Sequence, residues 1–201
     1  MKRIVIVDYG LGNLRCVYRG LEKSGAHPVI TPDIEEISAA DAIVLPGVGA
    51  FRDGMEQIGE MQQVLTEAAD SVPMLGICLG MQMLLEWSEE HGLHAGLGII
   101  PGTVRRFQRS PGCKIPHMGW NSLDPVMADH PLMSGIGKGA FVYFVHSYYA
   151  DTTVDHTLTL TDYIQPFASS VTSGNVHGVQ FHPEKSGAIG LRILKNFIGL
   201  I

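Results

Sequence analysis

The sequence predicts an α/β fold: a mostly parallel central sheet flanked by helices, with an antiparallel β extension in the second half. Three observations predict it. Ile4-Val-Ile-Val7 is an unbroken β-branched run, the mark of a strand buried on both faces of a parallel sheet. Strand-like and helix-like stretches then alternate at the pitch of βαβ units. From Gly102 onward that alternation gives way to short β-type runs separated by turns, with no comparable helical pattern between them.

In order, the strand Ile4–Val7 is followed by the loop Asp8-Tyr-Gly-Leu-Gly12, and Asn13 is placed to cap a helix over Leu14 to Ser24. Gly25 stops it, and His27–Thr31 and Asp41–Leu45 read as the next strands. Pro46-Gly-Val-Gly-Ala-Phe51 breaks the third strand, and Met55 to Ala69 reads as one helix. Met74–Ile77 is a fourth strand, with helical spacing over Met81 to Trp87. The β extension takes Gly102–Phe107, Phe141–Val145, Thr157–Thr161 and Phe167–Thr172. Val176–Phe181 is the final strand and Gly187–Leu200 the final helix. No repeat or linker interrupts the 201 residues, which predicts a single domain over 1–201.

Composition narrows the function. A hydrophobic content of 45% with 17% charged residues describes a chain with a large core. A net charge of −6 argues against a general binder of nucleic acid or of membrane surfaces. The three cysteines lie far apart with no C-x-x-C spacing, and the apolar run after Met1-Lys-Arg is too short for a signal or a membrane span. These facts together point to a reducing cytoplasm.

Chemistry concentrates at Gly76-Ile-Cys78-Leu-Gly80. A strand turning sharply into a helix around a central nucleophile is a nucleophile elbow, and flanking glycines relieve the crowding of such a turn. The turn also sets the sulfur at a helix N-terminus, where free N–H groups favour a thiolate. Taken alone, the pattern fits a small core cysteine equally well. A nucleophile needs a base and an orienting partner. His182-Pro-Glu184 follows the last strand, and in an extended segment residues two apart point to one side. Both Cys78 and His182 then fall at carboxyl ends of strands, where open parallel sheets build their sites. Among the other histidines, His117 and His146 stay as weaker candidates, and His177 fits a core position. The Leu79 N–H follows the nucleophile and suits an oxyanion donor. Pro46-Gly47-Val48-Gly49 offers a second donor from Val48 or Gly49, though it reads equally as an ordinary turn.

In chain order, Pro-Gly-Val-Gly, Gly-Ile-Cys-Leu-Gly-Met-Gln and Gln180-Phe-His-Pro-Glu184 resemble the class I (triad) glutamine amidotransferases over nearly the whole chain. The resemblance implies a flavodoxin-like fold and a Cys-His-Glu triad that hydrolyses the side-chain amide of glutamine through a γ-glutamyl thioester. It implies Cys78 as nucleophile, His182 as base and then acid, and Glu184 as orienting carboxylate. It puts Val48, Gly49 and Leu79 at the oxyanion, and Gly47, Gln82, Ser147 and Tyr148 around the glutamine. No cofactor or metal is implied.

Four stretches lie outside the triad residues: Val7-Asp-Tyr-Gly-Leu-Gly-Asn-Leu14, Pro46–Phe51, Ile115-Pro-His-Met-Gly-Trp-Asn121 and Tyr143-Phe-Val-His-Ser-Tyr-Tyr149. They resemble the glutaminase subunits of imidazole glycerol phosphate synthase in histidine biosynthesis. That resemblance implies a heterodimer with a (β/α)8-barrel cyclase that receives ammonia and makes imidazole glycerol phosphate and the aminoimidazole-carboxamide ribonucleotide. It puts Asn13, Trp120, Tyr143 and Lys185 at the partner interface. Without it, Trp120 and Tyr143 read as core aromatics. The rival readings are a glutaminase serving another synthase, such as that of pyridoxal phosphate synthesis, a γ-glutamyl hydrolase, and a flavodoxin-like binding domain with a structural Cys78.

Overall fold

The computed structural model describes residues 2–201. Strands β1 (Ile4–Val7), β2 (Val29–Thr31), β3 (Ala42–Gly47) and β4 (Met74–Cys78) alternate with helices α1 (Leu14–Lys23), α2 (Ile34–Ser38), α3 (Phe51–Ile58) and α4 (Met61–Ala68). After β4 come α5 (Leu79–Met83), β5 (Leu85–Ser88), β6 (His94–Ala95), β7 (Ile100–Arg106), β8 (His117–Pro125), β9 (Ala140–His146) and β10 (Tyr148–Asp151). The chain closes with β11 (Thr157–Asp162), β12 (Pro166–Ser173), β13 (Val176–Val179) and α6 (Gly187–Ile198).

The sheet runs β2-β1-β3-β4-β13-β12-β10-β7-β5-β6. Its first five strands are parallel. From β13 onward, β12, β10 and β7 pair antiparallel, and β11, β8 and β9 branch from β12 as a second antiparallel layer. The predicted parallel core and antiparallel extension are thus both present, joined edge to edge.

The β-branched runs are apolar throughout because both faces are covered. Ile4, Ile6, Ala42, Val44, Leu75 and Ile77 pack with α1, α6 and the aromatic cluster Phe107, Phe144, Phe181 and Phe197. Val5, Val7, Ile43, Leu45 and Met74 pack the other way, against α2 to α5. Side chains alternate across the strand, so an uninterrupted apolar run feeds two cores.

Two expectations are corrected and one helix is added. Met55–Ala69 is not one helix: Gly59, at φ +45°, ends α3 and α4 starts afresh. The short α2, capped by Asp33 accepting from the N–H groups of Glu35 and Glu36, was not expected. The helical spacing from Met81 to Trp87 stops at Met83, and Leu85–Ser88 becomes a strand beside β7. Carbonyls of Met83, Leu84 and Leu85 accept from Leu97, Ile99, Ile100 and Gly98, so tertiary pairing overrides the local helical preference.

Candidate active site

The elbow is built by steric exclusion. Cys78 holds φ +55°, a left-handed conformation that costs a non-glycine residue energy and persists only where the surroundings enforce it. A Cβ on Gly80 would overlap the Leu45 carbonyl oxygen, and one on Gly76 would lie 2.7 Å from the Met81 nitrogen. On the neighbouring strand Gly178, directly opposite Gly76, has no room for a Cβ against Met81. Two adjacent glycines thus form a notch in the sheet on which α5 rests.

Around the sulfur lies a cavity of about 300 Å³ lined by Val48, Gly49, Cys78, Leu79, Gln82, Glu90, Pro116, Val145, His146, Ser147, Tyr148 and His182. Strands β3, β4 and β9 and the end of β13 all deliver residues to it, a crevice at the carboxyl end of a parallel sheet. The larger groove between α2 and α4, about 1040 Å³, contains none of these residues.

His182 and Glu184 meet across Pro183. The imidazole Nδ1–H donates to Glu184 Oε1 at 2.9 Å, and both side chains are buried. That bond leaves Nε2, buried and without a hydrogen-bond partner, for the cavity. Burial lowers the imidazole pKa, but the Cys78 sulfur and the Glu184 carboxylate outweigh it and hold it up at about 9. The imidazolium is therefore the favoured form at neutral pH.

Backbone contacts tie this turn to β9. The His182 N–H donates to the Tyr143 carbonyl at 2.9 Å, and Ser186 Oγ donates to the His182 carbonyl at 2.6 Å while accepting from the Tyr143 N–H. Gln180 Nε2 points at the Cys78 sulfur, 3.8 Å away, and Gln82 Nε2 donates to Gln180 Oε1 and to the Tyr148 carbonyl.

Of the residues singled out in the sequence, Val48, Gly49, Cys78, Leu79, Gln82, Ser147, Tyr148 and His182 line one cavity, and Glu184 stands behind it. Leu79 opens a helix, so its N–H has no intrahelical acceptor. Gly49 has φ +106° and open space where a Cβ would be. Gly47 does not reach the cavity; it packs beneath, where a Cβ would meet the Tyr9 hydroxyl, and that hydroxyl donates to the Pro46 carbonyl at 2.7 Å. Trp120 and Tyr143 face each other across β8 and β9 with ring centroids 6.1 Å apart, and Trp120 is 55% exposed. Asn13 and Lys185 are exposed as well. Asn13 stands at the α1 N-cap without a side-chain capping bond.

Sequence reasoning missed Glu90, Gln180 and Ser186 as site residues. Glu90 lines the cavity and its Oε2 accepts from the Phe51 N–H at 2.7 Å. Nothing in Glu89-Glu-His-Gly92 marks one acid over its neighbour. Gln180 sat inside a quoted motif, and its place two residues before His182 was the available signal. Among the described residues no group of three His, Cys, Asp or Glu is placed to hold a metal ion.

A carboxylate-oriented imidazole and a cysteine on an elbow at one cavity make an arrangement suited to nucleophilic acyl transfer. The family model "Glutamine amidotransferase class-I" matches residues 5–200. The chain belongs to that family. It is 57% identical over 201 residues to the imidazole glycerol phosphate synthase subunit HisH of Methanosarcina acetivorans, covering 98% of each chain. The HisH subunit of Bacillus cereus is 49% identical, with 98% of this chain and 95% of that one covered. The fold is shared with PurLQS from Thermotoga maritima, at 21% identity and a TM-score of 0.75 over 99% of this chain and 98% of that one. Within the class-I amidotransferases, its place is among the HisH subunits of imidazole glycerol phosphate synthase.

Proposed function

We propose that this chain hydrolyses L-glutamine at Cys78 and passes the ammonia to a (β/α)8-barrel cyclase subunit of imidazole glycerol phosphate synthase. The observation that carries the chemistry is the unpartnered His182 Nε2, buried in the cavity beside Cys78 while Nδ1–H is held by Glu184.

The Cys78 sulfur attacks the δ-carbon of glutamine, and the carbonyl electrons move onto oxygen. The Leu79 N–H and an N–H from Val48 or Gly49 receive that oxyanion. His182 Nε2 protonates the amide nitrogen, the C–N bond breaks, and ammonia leaves with the γ-glutamyl thioester on Cys78. Water then attacks the thioester and gives a proton to Nε2, the C–S bond breaks, and glutamate departs. Throughout, Glu184 stabilises the imidazolium and keeps its tautomer. Glu90, an acid in the cavity wall, suits the α-ammonium of the substrate.

Ammonia released to solvent is wasted, so the oxyanion site needs gating. Glycines on both sides of Val48, with Gly49 already at positive φ, make reorientation of that peptide inexpensive. The cyclase would dock on the face bearing Asn13, Trp120, Tyr143 and Lys185. Exposed Met118 and Trp120 give it an apolar centre, and Tyr143 is bonded through its backbone to His182. A single domain over 1–201 in the cytoplasm suits this role: all strands join one network and all three cysteines are free.

The decisive experiment adds a glutamine-analogue electrophile to the protein and locates the adduct by mass. Modification at Cys78, and loss of glutaminase activity in Cys78→Ser, are expected; an unmodified Cys78 would refute the triad. Turnover measured with and without the cyclase and its nucleotide ligand tests the gate, and equal rates would remove it.

A further inference from the structure

Beside Ser147 and Tyr148, two buried histidines lie directly opposite each other on β8 and β9, His146 lining the cavity and His117 behind it. His117 Nδ1 is 2.9 Å from His146 Nε2, and His146 Nδ1 is 2.7 Å from the Tyr148 carbonyl oxygen. A carbonyl only accepts, so His146 carries its proton on Nδ1. In the neutral ring its Nε2 then accepts, and His117 donates from Nδ1. His117 Nε2 is left as an acceptor, and Asn121 Nδ2 approaches it at 3.3 Å. The orientation of that amide is fixed independently: Oδ1 accepts from the Ser122 N–H and Nδ2 also donates to the Asp162 carbonyl. Only one arrangement of protons satisfies the chain, and neither ring can take another without losing a bond. Stacking fixes the His117 plane, with the Phe144 and Tyr163 rings 4.8 and 4.0 Å away.

The chain ends on a carbonyl whose two lone pairs are both used, one by His146 and one by Gln82. Next to it, the Ser147 carbonyl accepts from the Phe107 N–H. The segment Ser147–Tyr148 joins β9 to β10 at the cavity wall, beyond the last β8 partner of β9, with Tyr148 opposite Arg106 of β7. Beyond that pairing, His146 adds a side-chain restraint directly on the Tyr148 carbonyl.

We propose that His117 and His146 are positioning residues: a neutral pair that holds the Tyr148 carbonyl, and so the Ser147–Tyr148 backbone, in the conformation that receives glutamine. The pair touches no reacting atom, and His117 acts through His146. This rests on the glutaminase reading above.

The test uses His117→Asn, His117→Gln and His117→Phe in the full chain. Asn puts an amide N–H near the place of Nδ1, Gln near that of Nε2, and Phe keeps the stacking without a donor. Cys78 is alkylated in each by 6-diazo-5-oxo-L-norleucine, which must occupy the glutamine pocket, and by iodoacetamide, which need not. The Gln and Phe variants are expected to raise the half-saturating concentration of the diazoketone roughly tenfold, with iodoacetamide rates within about twofold of the parent. The Asn variant is expected to stay within about threefold of the parent. If Asn and Gln behave alike, or if iodoacetamide labelling falls in step with the diazoketone, the positioning role is overturned. Should the Phe variant fail to fold, the Asn–Gln comparison still decides. A parent protein that the diazoketone does not label refutes the glutaminase reading instead.

Discussion

At the residue scale the site turns on His182. Its imidazolium is held against burial by the Cys78 sulfur and the Glu184 carboxylate, so its proton is lost only as pH rises through about 9. The acid that protonates the leaving nitrogen therefore disappears above that pH, and kcat/KM should show an alkaline limb there. Glu184→Gln removes the negative charge and permits the wrong tautomer. It is expected to lower kcat by on the order of 100-fold or more, and to move the alkaline limb to lower pH, as a pH–rate profile would show. A limb unmoved by the substitution would mean that Glu184 does not act on the base. Gly80→Ala belongs to the same scale. Its Cβ has no room against the Leu45 carbonyl oxygen, and only backbone movement at the elbow relieves the overlap. Chemical denaturation should show a loss of about 2 kcal/mol or more, with glutaminase activity lost alongside.

Elements show how far sequence patterns carry. The strands β1, β3 and β4 were legible because burial on both faces leaves an unbroken apolar run, and the elbow because its glycines are sterically obligatory. His182 and Glu184 were legible because two residues of extended chain fix their relation without tertiary help. Strand β8 was not. It follows Pro116 and ends on Pro125, contains Gly119 at φ +136°, and turns Met118 and Trp120 outwards while burying His117, so its strand character comes from pairing with β9. Glu90 was invisible for a related reason: its place depends on α3 arriving from distant sequence. The hairpin of β8 and β9 makes its own prediction. Met118 and Trp120 are 63% and 55% exposed on one side of it, while His117, Phe144 and His146 are buried on the other. Trp120→Ala removes surface that a partner would cover but little that the isolated chain needs. Affinity for the cyclase should fall by about 30-fold, while the thermal midpoint of the free chain stays within about 2 °C. Titration calorimetry and thermal melts check the two halves, and an unchanged affinity would place the docking face elsewhere.

Across the whole molecule two sets of buried histidines have opposite linkage to pH. His117, His146 and His177 are buried and neutral, lowered by desolvation to about 4, 3 and 4, with His146 and His177 also facing other imidazoles. Each would take a proton near pH 6.5 once unfolded but not while folded. The unfolded state then binds more protons as pH drops, so their share of stability is complete above about 6.5 and is lost as pH falls towards 4. Each contributes a slope of roughly 1.4 kcal/mol per pH unit in that window. His182 runs the other way. Its folded pKa is raised, so the stability it contributes is complete below about 6.5 and is lost as pH rises through about 9. Stability should therefore peak near neutrality and decline on both sides, the acid side beginning before most carboxylates titrate. His177 separates this account from a general acid effect, because it lies away from the catalytic cavity, bonded to Thr172 Oγ1 at 2.8 Å and packed against His130. His177→Gln keeps a polar group there but removes one titrating proton. Between pH 6.5 and 5 its unfolding free energy should fall less steeply than the parent's, by roughly 1.4 kcal/mol per pH unit. Urea denaturation at several pH values measures both slopes, and parallel lines would show that His177 takes up its proton in the folded state after all.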